Sequence, residues 1–195
     1  MRTKGFLNIS KSNLFILLIM LIVSKSALSA SAGLGVSLSN AQSFFGYDII
    51  TPTVLIPIEV TPHLIIEPFL STSTYKDTGD FFTTKIKNNT FGLGIFGTHL
   101  LSDGVSNYYG MKVSKSMLEA TFSDSVSSET DKYDYLTITP LVGFKYDATK
   151  AMSAAFELGV NYTTGDETDC CDSRLNSDIE DYSLYASLAM RYLFK

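Results

Sequence analysis

Every second residue from Tyr182 to Phe194 is apolar or aromatic: Tyr182, Leu184, Ala186, Leu188, Met190, Tyr192 and Phe194. The interleaved register, Ser183, Tyr185, Ser187, Ala189, Arg191 and Leu193, is small, polar or charged at four of its six positions. Strict alternation over thirteen residues predicts a β-strand with one greasy face and one polar face. A protein core or a bilayer would satisfy the greasy face. Aromatics at both of its ends favour the bilayer, where Tyr and Phe sit at the two interfaces.

The closing stretch, with its alternate apolar residues and terminal aromatics Tyr192 and Phe194, resembles the last strand of bacterial outer-membrane β-barrels. The resemblance implies that Tyr192 and Phe194 belong to an insertion signal read by the barrel-insertion machinery. The alternative for this stretch alone is the last strand of a soluble β-sandwich.

Residues 1–30 carry Arg2, Lys4, Lys11 and Lys25 and no acid, and Leu14 to Val23 is an unbroken apolar run. Small residues follow it, with Ala27 and Ser29, or Ala30 and Ala32, spaced for cleavage. This is the pattern of a secretory signal peptide, expected over 1–30. The run is too short to span a bilayer, which takes about 20 residues. The 195-residue chain has 15 bases and 20 acids, and without residues 1–30 the balance is 11 bases to 20 acids, a net charge of −9. An exported acidic chain is not expected to bind nucleic acid, which attracts basic patches. Residues 31–195 suit a single domain.

Eight alternating segments are predicted, near 32–39, 49–60, 64–74, 88–99, 107–121, 134–146, 152–164 and 182–194. Long polar spacers, near 40–48, 75–87, 122–133 and 165–181, alternate with short ones near 61–63, 100–106 and 147–151. Long outer loops alternating with short inner turns are the mark of an up-and-down barrel. Over the whole of 31–195 this pattern resembles the small OmpX/OmpA-type eight-stranded outer-membrane barrel family. The expected fold is therefore all-β, an eight-stranded antiparallel up-and-down transmembrane β-barrel. Residues such as Val54, Leu70, Phe91, Ile95, Val142, Phe156 and Leu158 are assigned to the lipid face, and a one-residue slip would reverse them all. Lys115 falls on the lipid register near the outer end, where its stem can reach the interface. Pro52, Pro57, Pro68 and Pro140 fall inside predicted strands, where each removes a ladder donor.

The inward register carries Glu59, Glu67 and Glu157 with Lys112, Lys145 and Arg191. Three acids with three bases predict a paired polar plug, because an unpaired charge in a narrow interior is costly. In particular, Glu157 is expected to bridge Arg191 and Lys145. A gated ion path is the alternative use of the same charges. An acid or base catalyst is disfavoured, since a filled interior leaves no room for substrate.

The chain is not expected to be an enzyme. His63 and His99, with Ser102, fall toward the short-turn end, away from the outer rim where barrel hydrolases keep their catalytic groups. Cys170 and Cys171 are adjacent and would bridge only through strain, and Cys/His metal spacing is absent. The last spacer holds Asp166, Glu167, Asp169, Asp172, Asp178, Glu180 and Asp181. It reads as a solvated, self-repelling surface. Cation binding, with Ca²⁺ as the hard ion carboxylates prefer, is the alternative, and no calcium-loop spacing supports it. No cofactor is expected. The expected partners are outer-membrane lipid and lipopolysaccharide, the insertion machinery and an extracellular protein. The function that follows is structural or adhesive, carried by the outer loops. A narrow pore and a soluble periplasmic barrel with an apolar ligand are the alternatives.

Overall fold

The computed structural model describes residues 31–40, 50–79, 82–124, 127–168 and 178–194. The predicted signal segment, Cys170 and Cys171 lie outside them. Among the described residues nine strands form one antiparallel sheet: β1 (Ser31–Asn40), β2 (Ile50–Leu55), β3 (Ile58–Thr61), β4 (Leu64–Thr78), β5 (Phe82–Ser102), β6 (Val105–Asp124), β7 (Ser128–Asp147), β8 (Met152–Thr168) and β9 (Asp178–Phe194). From β3 to β9 each strand pairs with the next in sequence. β1 also pairs with β9, from Ala32 opposite Phe194 to Ser39 opposite Ser187, so the first and last strands are neighbours.

The ninth strand arises from prolines. β2 and β3 both pair with β1 on one side and β4 on the other. Leu55 opposes Phe69 and Ile58 opposes Ile66, one continuous register, so no residue is gained or lost between them. In that register Pro68 falls opposite Ile56, beside Pro57. Two absent N–H donors at one place end the regular ladder. The Ile56 N–H to the Pro68 carbonyl (2.9 Å) and the Gly33 N–H to the Pro57 carbonyl (2.8 Å) hold the break together. The predicted segment 49–60 is thus two strands in line. Pro140 acts more mildly: the β7–β8 pairing stops at Ile138 opposite Tyr162 and resumes at Leu141 opposite Gly159. The Thr139 hydroxyl, donating to Asn161 Oδ1 at 2.7 Å, ties the gap on the buried face.

The spacers 75–87 and 122–133 are not loops. β4 and β5 stay paired to Thr78 opposite Thr83, and β6 and β7 to Ser123 opposite Ser128. β8 and β9 stay paired to Asp166 opposite Asp178. At the other end the turns are tight. Pro62–His63 and Asp103–Gly104 are two-residue turns, and Gly104 has φ 77°, which glycine adopts without a Cβ clash.

The two faces differ sharply. Leu34, Val36, Leu70, Phe91, Ile95, Val142, Phe156, Leu158, Val160, Leu184 and Leu188 all lie open on the exposed face. On the opposite face Leu55, Ile65, Phe96, Tyr108, Leu141, Ala155, Tyr185 and Ala189 form one buried cluster, with Phe69 against it. A second cluster, Ile86, Leu118, Ala120, Tyr133 and Tyr135, with Tyr75 against it, lies under the extended ends of β4–β7.

Candidate functional site

Four charged side chains meet on the buried face, with Glu67 and Glu157 wholly buried and Lys112 and Arg191 nearly so. Arg191 reaches Glu67 with two donors, Nε to Oε2 at 2.5 Å and an Nη to Oε1 at 3.1 Å. The same Nη also donates to Glu157 Oε1 at 3.0 Å. Glu157 Oε2 accepts from Lys112 Nζ at 2.5 Å. Two acids and two bases therefore form one neutral chain, Glu67–Arg191–Glu157–Lys112.

Two tyrosines complete it. Tyr108 donates to Glu157 Oε1 at 2.5 Å and Tyr185 donates to Oε2 at 2.8 Å. Lys112 Nζ also donates to the Tyr185 hydroxyl at 2.8 Å. Glu157 so accepts from four side chains, the saturation a buried carboxylate needs. Aromatic faces cover the cations: Lys112 Nζ is 5.1 Å from the Tyr185 ring centre, and the Arg191 guanidinium is 5.7 Å from that of Tyr108.

Pairing geometry explains why these residues meet. Arg191 stands opposite Ser153 on β8, four residues from Glu157 on one side. Lys112 stands opposite Thr139, which is level with Asn161, four residues from Glu157 on the other side. Both long side chains reach Glu157 diagonally from opposite directions. Tyr108 and Glu157 both pair with Gly143 from either side. A Cβ at Gly143 would lie 2.9 Å from the Tyr108 ring and 2.5 Å from the Phe156 carbonyl, so the ring crosses to Glu157 only over glycine.

Lys145 is not the second base on Glu157. It lies 3.6 Å from Glu59 and 3.2 Å from Asp147, in a separate and more exposed cluster toward the turn end. Near an opening a lysine keeps more of its hydration by pointing outward, and Lys112, deeper in, takes its place. The six inward charges thus divide into two groups, with Asp147 added to the outer one. Tyr108 and Tyr185 were missing from the predicted set. Their signal was an aromatic hydroxyl on the polar register, which Tyr185 shows in the closing strand.

The four-charge chain separates two cavities that share no lining residue. On one side is a polar cavity of about 110 Å³, with Ser37, Thr51, Thr90, Ser116, Thr139 and Asn161 in its wall and Lys112 and Tyr185 also lining it. Some of its polar groups pair with each other, as Thr90 with Ser116 at 2.7 Å, while the Thr51 hydroxyl has no protein partner. On the turn side a cavity of about 590 Å³ is lined by Glu59, His63, Lys145, Asp147 and Lys150 among others. A polar cavity of the first kind does not suit an apolar ligand.

His63, His99 and Ser102 are all exposed near the turn end. Among the described residues no group of three or more His, Cys, Asp or Glu is arranged to hold a metal ion. Of the acidic spacer, Glu180 and Asp181 are exposed, and Glu180 accepts from the Tyr162 hydroxyl at 3.4 Å. Asp169 and Asp172 lie outside the described residues, as do the side chains of Asp166, Glu167 and Asp178. Tyr192 and Phe194 are exposed, their rings 5.6 Å apart, on the strand that pairs with β1.

No protein-family model matches the chain, and no curated protein sequence matches it either. Solved structures do. A major outer membrane protein from Thermus thermophilus superposes with a TM-score of 0.56 at 16% identity, over 84% of this chain and 99% of that one. Neisserial surface protein A gives 0.52 at 16% identity, over 85% and 97%. Ail, the attachment invasion locus protein of Yersinia pestis, gives 0.50 at 14% identity, over 85% and 97%. The nine-stranded antiparallel sheet of this chain therefore has a fold like that of small bacterial outer-membrane β-barrel proteins.

Proposed function

We propose that the chain is an integral outer-membrane protein and not an enzyme: a barrel of eight staves, one of them split at Ile56–Pro57. Residues 1–30 serve as its export signal, and Tyr192 and Phe194 as part of the signal for the insertion machinery. One observation carries this reading. The sheet has charges buried on one face and a continuous apolar belt open on the other, and a soluble monomer rarely exposes such a patch. From Tyr182 to Tyr192, both exposed, β9 runs eleven residues. A tilted transmembrane strand needs about 9–11.

The role that fits is structural and adhesive. The belt fixes the barrel in lipid, the charge chain plugs it, and the extended ends of β4–β9 present polar surface for a partner outside the cell. The separation of the two cavities favours a closed interior over a narrow pore. The tests are direct. The mature chain stays with the membrane after carbonate extraction and migrates differently on gels when unboiled; recovery as a soluble periplasmic protein would sink the reading. In planar bilayers the purified protein gives no steady conductance, and reproducible single-channel steps would replace the plug with a pore.

A further inference from the structure

The basic side chains of the described strands fall into two populations. Within the strands, Lys112, Lys115, Lys145 and Arg191 are each ion-paired. Lys76, Lys85, Lys87 and Lys132 are exposed and have no ion-pair partner among the described residues. All four lie on the belt face of the extended strands. Lys76 and Lys85 are direct partners across β4 and β5, and one row runs from Thr74 through Lys87 and Glu119 to Lys132. Like charges directly opposite each other destabilise a strand pair unless a counter-ion joins them. Glu119 is the one acid in that row. A positive patch here also runs against the chain's net charge of −5.

Height says what fits. The belt ends on these strands at Leu70 and Phe91, and Phe91 stands opposite Lys115, which is held by Asp134 at 2.7 Å. Lys87 is four residues beyond Phe91, and Lys76 six beyond Leu70. At about 3.3 Å per residue and a tilt of about 35–45°, the patch stands roughly 10–15 Å above the apolar edge. The headgroup layer of a phospholipid reaches only about 5–8 Å beyond the hydrocarbon. A simple phospholipid therefore meets Lys115, whose charge is already neutralised, and falls short of the four lysines.

We propose that Lys76, Lys85, Lys87 and Lys132 form a site for an anionic glycolipid of the outer leaflet. Phosphates on its sugar core meet the lysines, while its acyl chains lie on Leu70, Phe91 and Val113. The site presupposes the integral-membrane reading above. It names a particular lipid class and one side of the barrel, since no such set of unpaired bases stands on the described part of β8 or β9.

The test titrates folded, detergent-solubilised protein with phosphorylated lipopolysaccharide, its dephosphorylated form and phosphatidylglycerol, reading binding by thermophoresis. The triple variant K76Q/K85Q/K87Q is compared with the unchanged protein and with K150Q at the turn end. Unboiled gel mobility confirms that every variant is folded. Phosphorylated lipopolysaccharide is expected to bind the unchanged protein and K150Q alike, and the triple variant at least about tenfold more weakly. The preference shrinks in high salt and is absent with the dephosphorylated form. Equal binding by the triple variant, or equal binding of phosphatidylglycerol, overturns the site while leaving the barrel intact. Failure of the unchanged protein to insert into any lipid overturns the membrane reading, and the site with it.

Discussion

The interior holds two charge clusters built from the same residue types, and they differ in almost everything else. Glu67–Arg191–Glu157–Lys112 is buried, bonded at 2.5–3.1 Å and completed by two tyrosines. Glu59–Lys145–Asp147 is looser, at 3.2–3.6 Å, and its carboxylates are about a quarter and a third exposed. Water does in the second cluster what Tyr108 and Tyr185 do in the first. Burial multiplies the cost of an unmet charge, so the deep cluster is saturated with donors and the shallow one is not.

That contrast is easily broken. The largest effect is expected for Glu157→Ala, which leaves Arg191 and Lys112 without their shared anion and should cost about 3–5 kcal/mol in urea unfolding from lipid vesicles. Removing Arg191 as well should cost less than the two single losses added, because the orphaned cation goes with it. Additive losses would mean that the two side chains act independently. Tyr185→Phe keeps the ring and deletes one donor to a charged group, so about 1.5–3 kcal/mol is expected. A neutral result there would assign its place on Glu157 to a water from the adjoining polar cavity. The smallest effect is expected for Glu59→Gln, at most about 1 kcal/mol, with Lys145 turning to Asp147. A loss as large as that of Glu157 would erase the distinction between the clusters.

The same physics decided what the sequence revealed. Which residues face which way was legible wherever one face meets the belt, because alternation is then enforced at every step, as in Phe156–Glu157–Leu158 or Leu136–Thr137–Ile138. Above the belt the outer face turns polar and only scattered apolar residues mark the inner one, so Lys85 and Lys87 flank buried Ile86 on a true strand that looks like a loop. The pairing of β4 with β5 there leaves no hydropathy signature. Their shared slab of interior makes Glu157 and Arg191 neighbours, and the two side chains meet. The second base differs from the expected Lys145: Lys145 is nearer in the ladder than Lys112, but alternation carries no information on diagonal reach. The prolines announced irregularity in the second segment. Only the register placed Pro68 opposite the residue before Pro57, which is what splits that stave in two.

The gap that Pro140 leaves between β7 and β8 gives the wall a directional mechanical property. A sheet resists bending through its rungs, and here successive rungs are missing between Ile138 and Leu141. Gly110, Gly159 and Pro140 line a shallow groove on the exposed face at the same height, so the wall is thin there as well as loosely stitched. In the membrane barrel proposed above, lateral pressure from the bilayer would flatten the wall first along this line, with the Thr139–Asn161 bond acting as the hinge pin. Amide hydrogen exchange should register it as faster exchange along the β7–β8 seam at this height than along β8–β9, whose pairing is unbroken there.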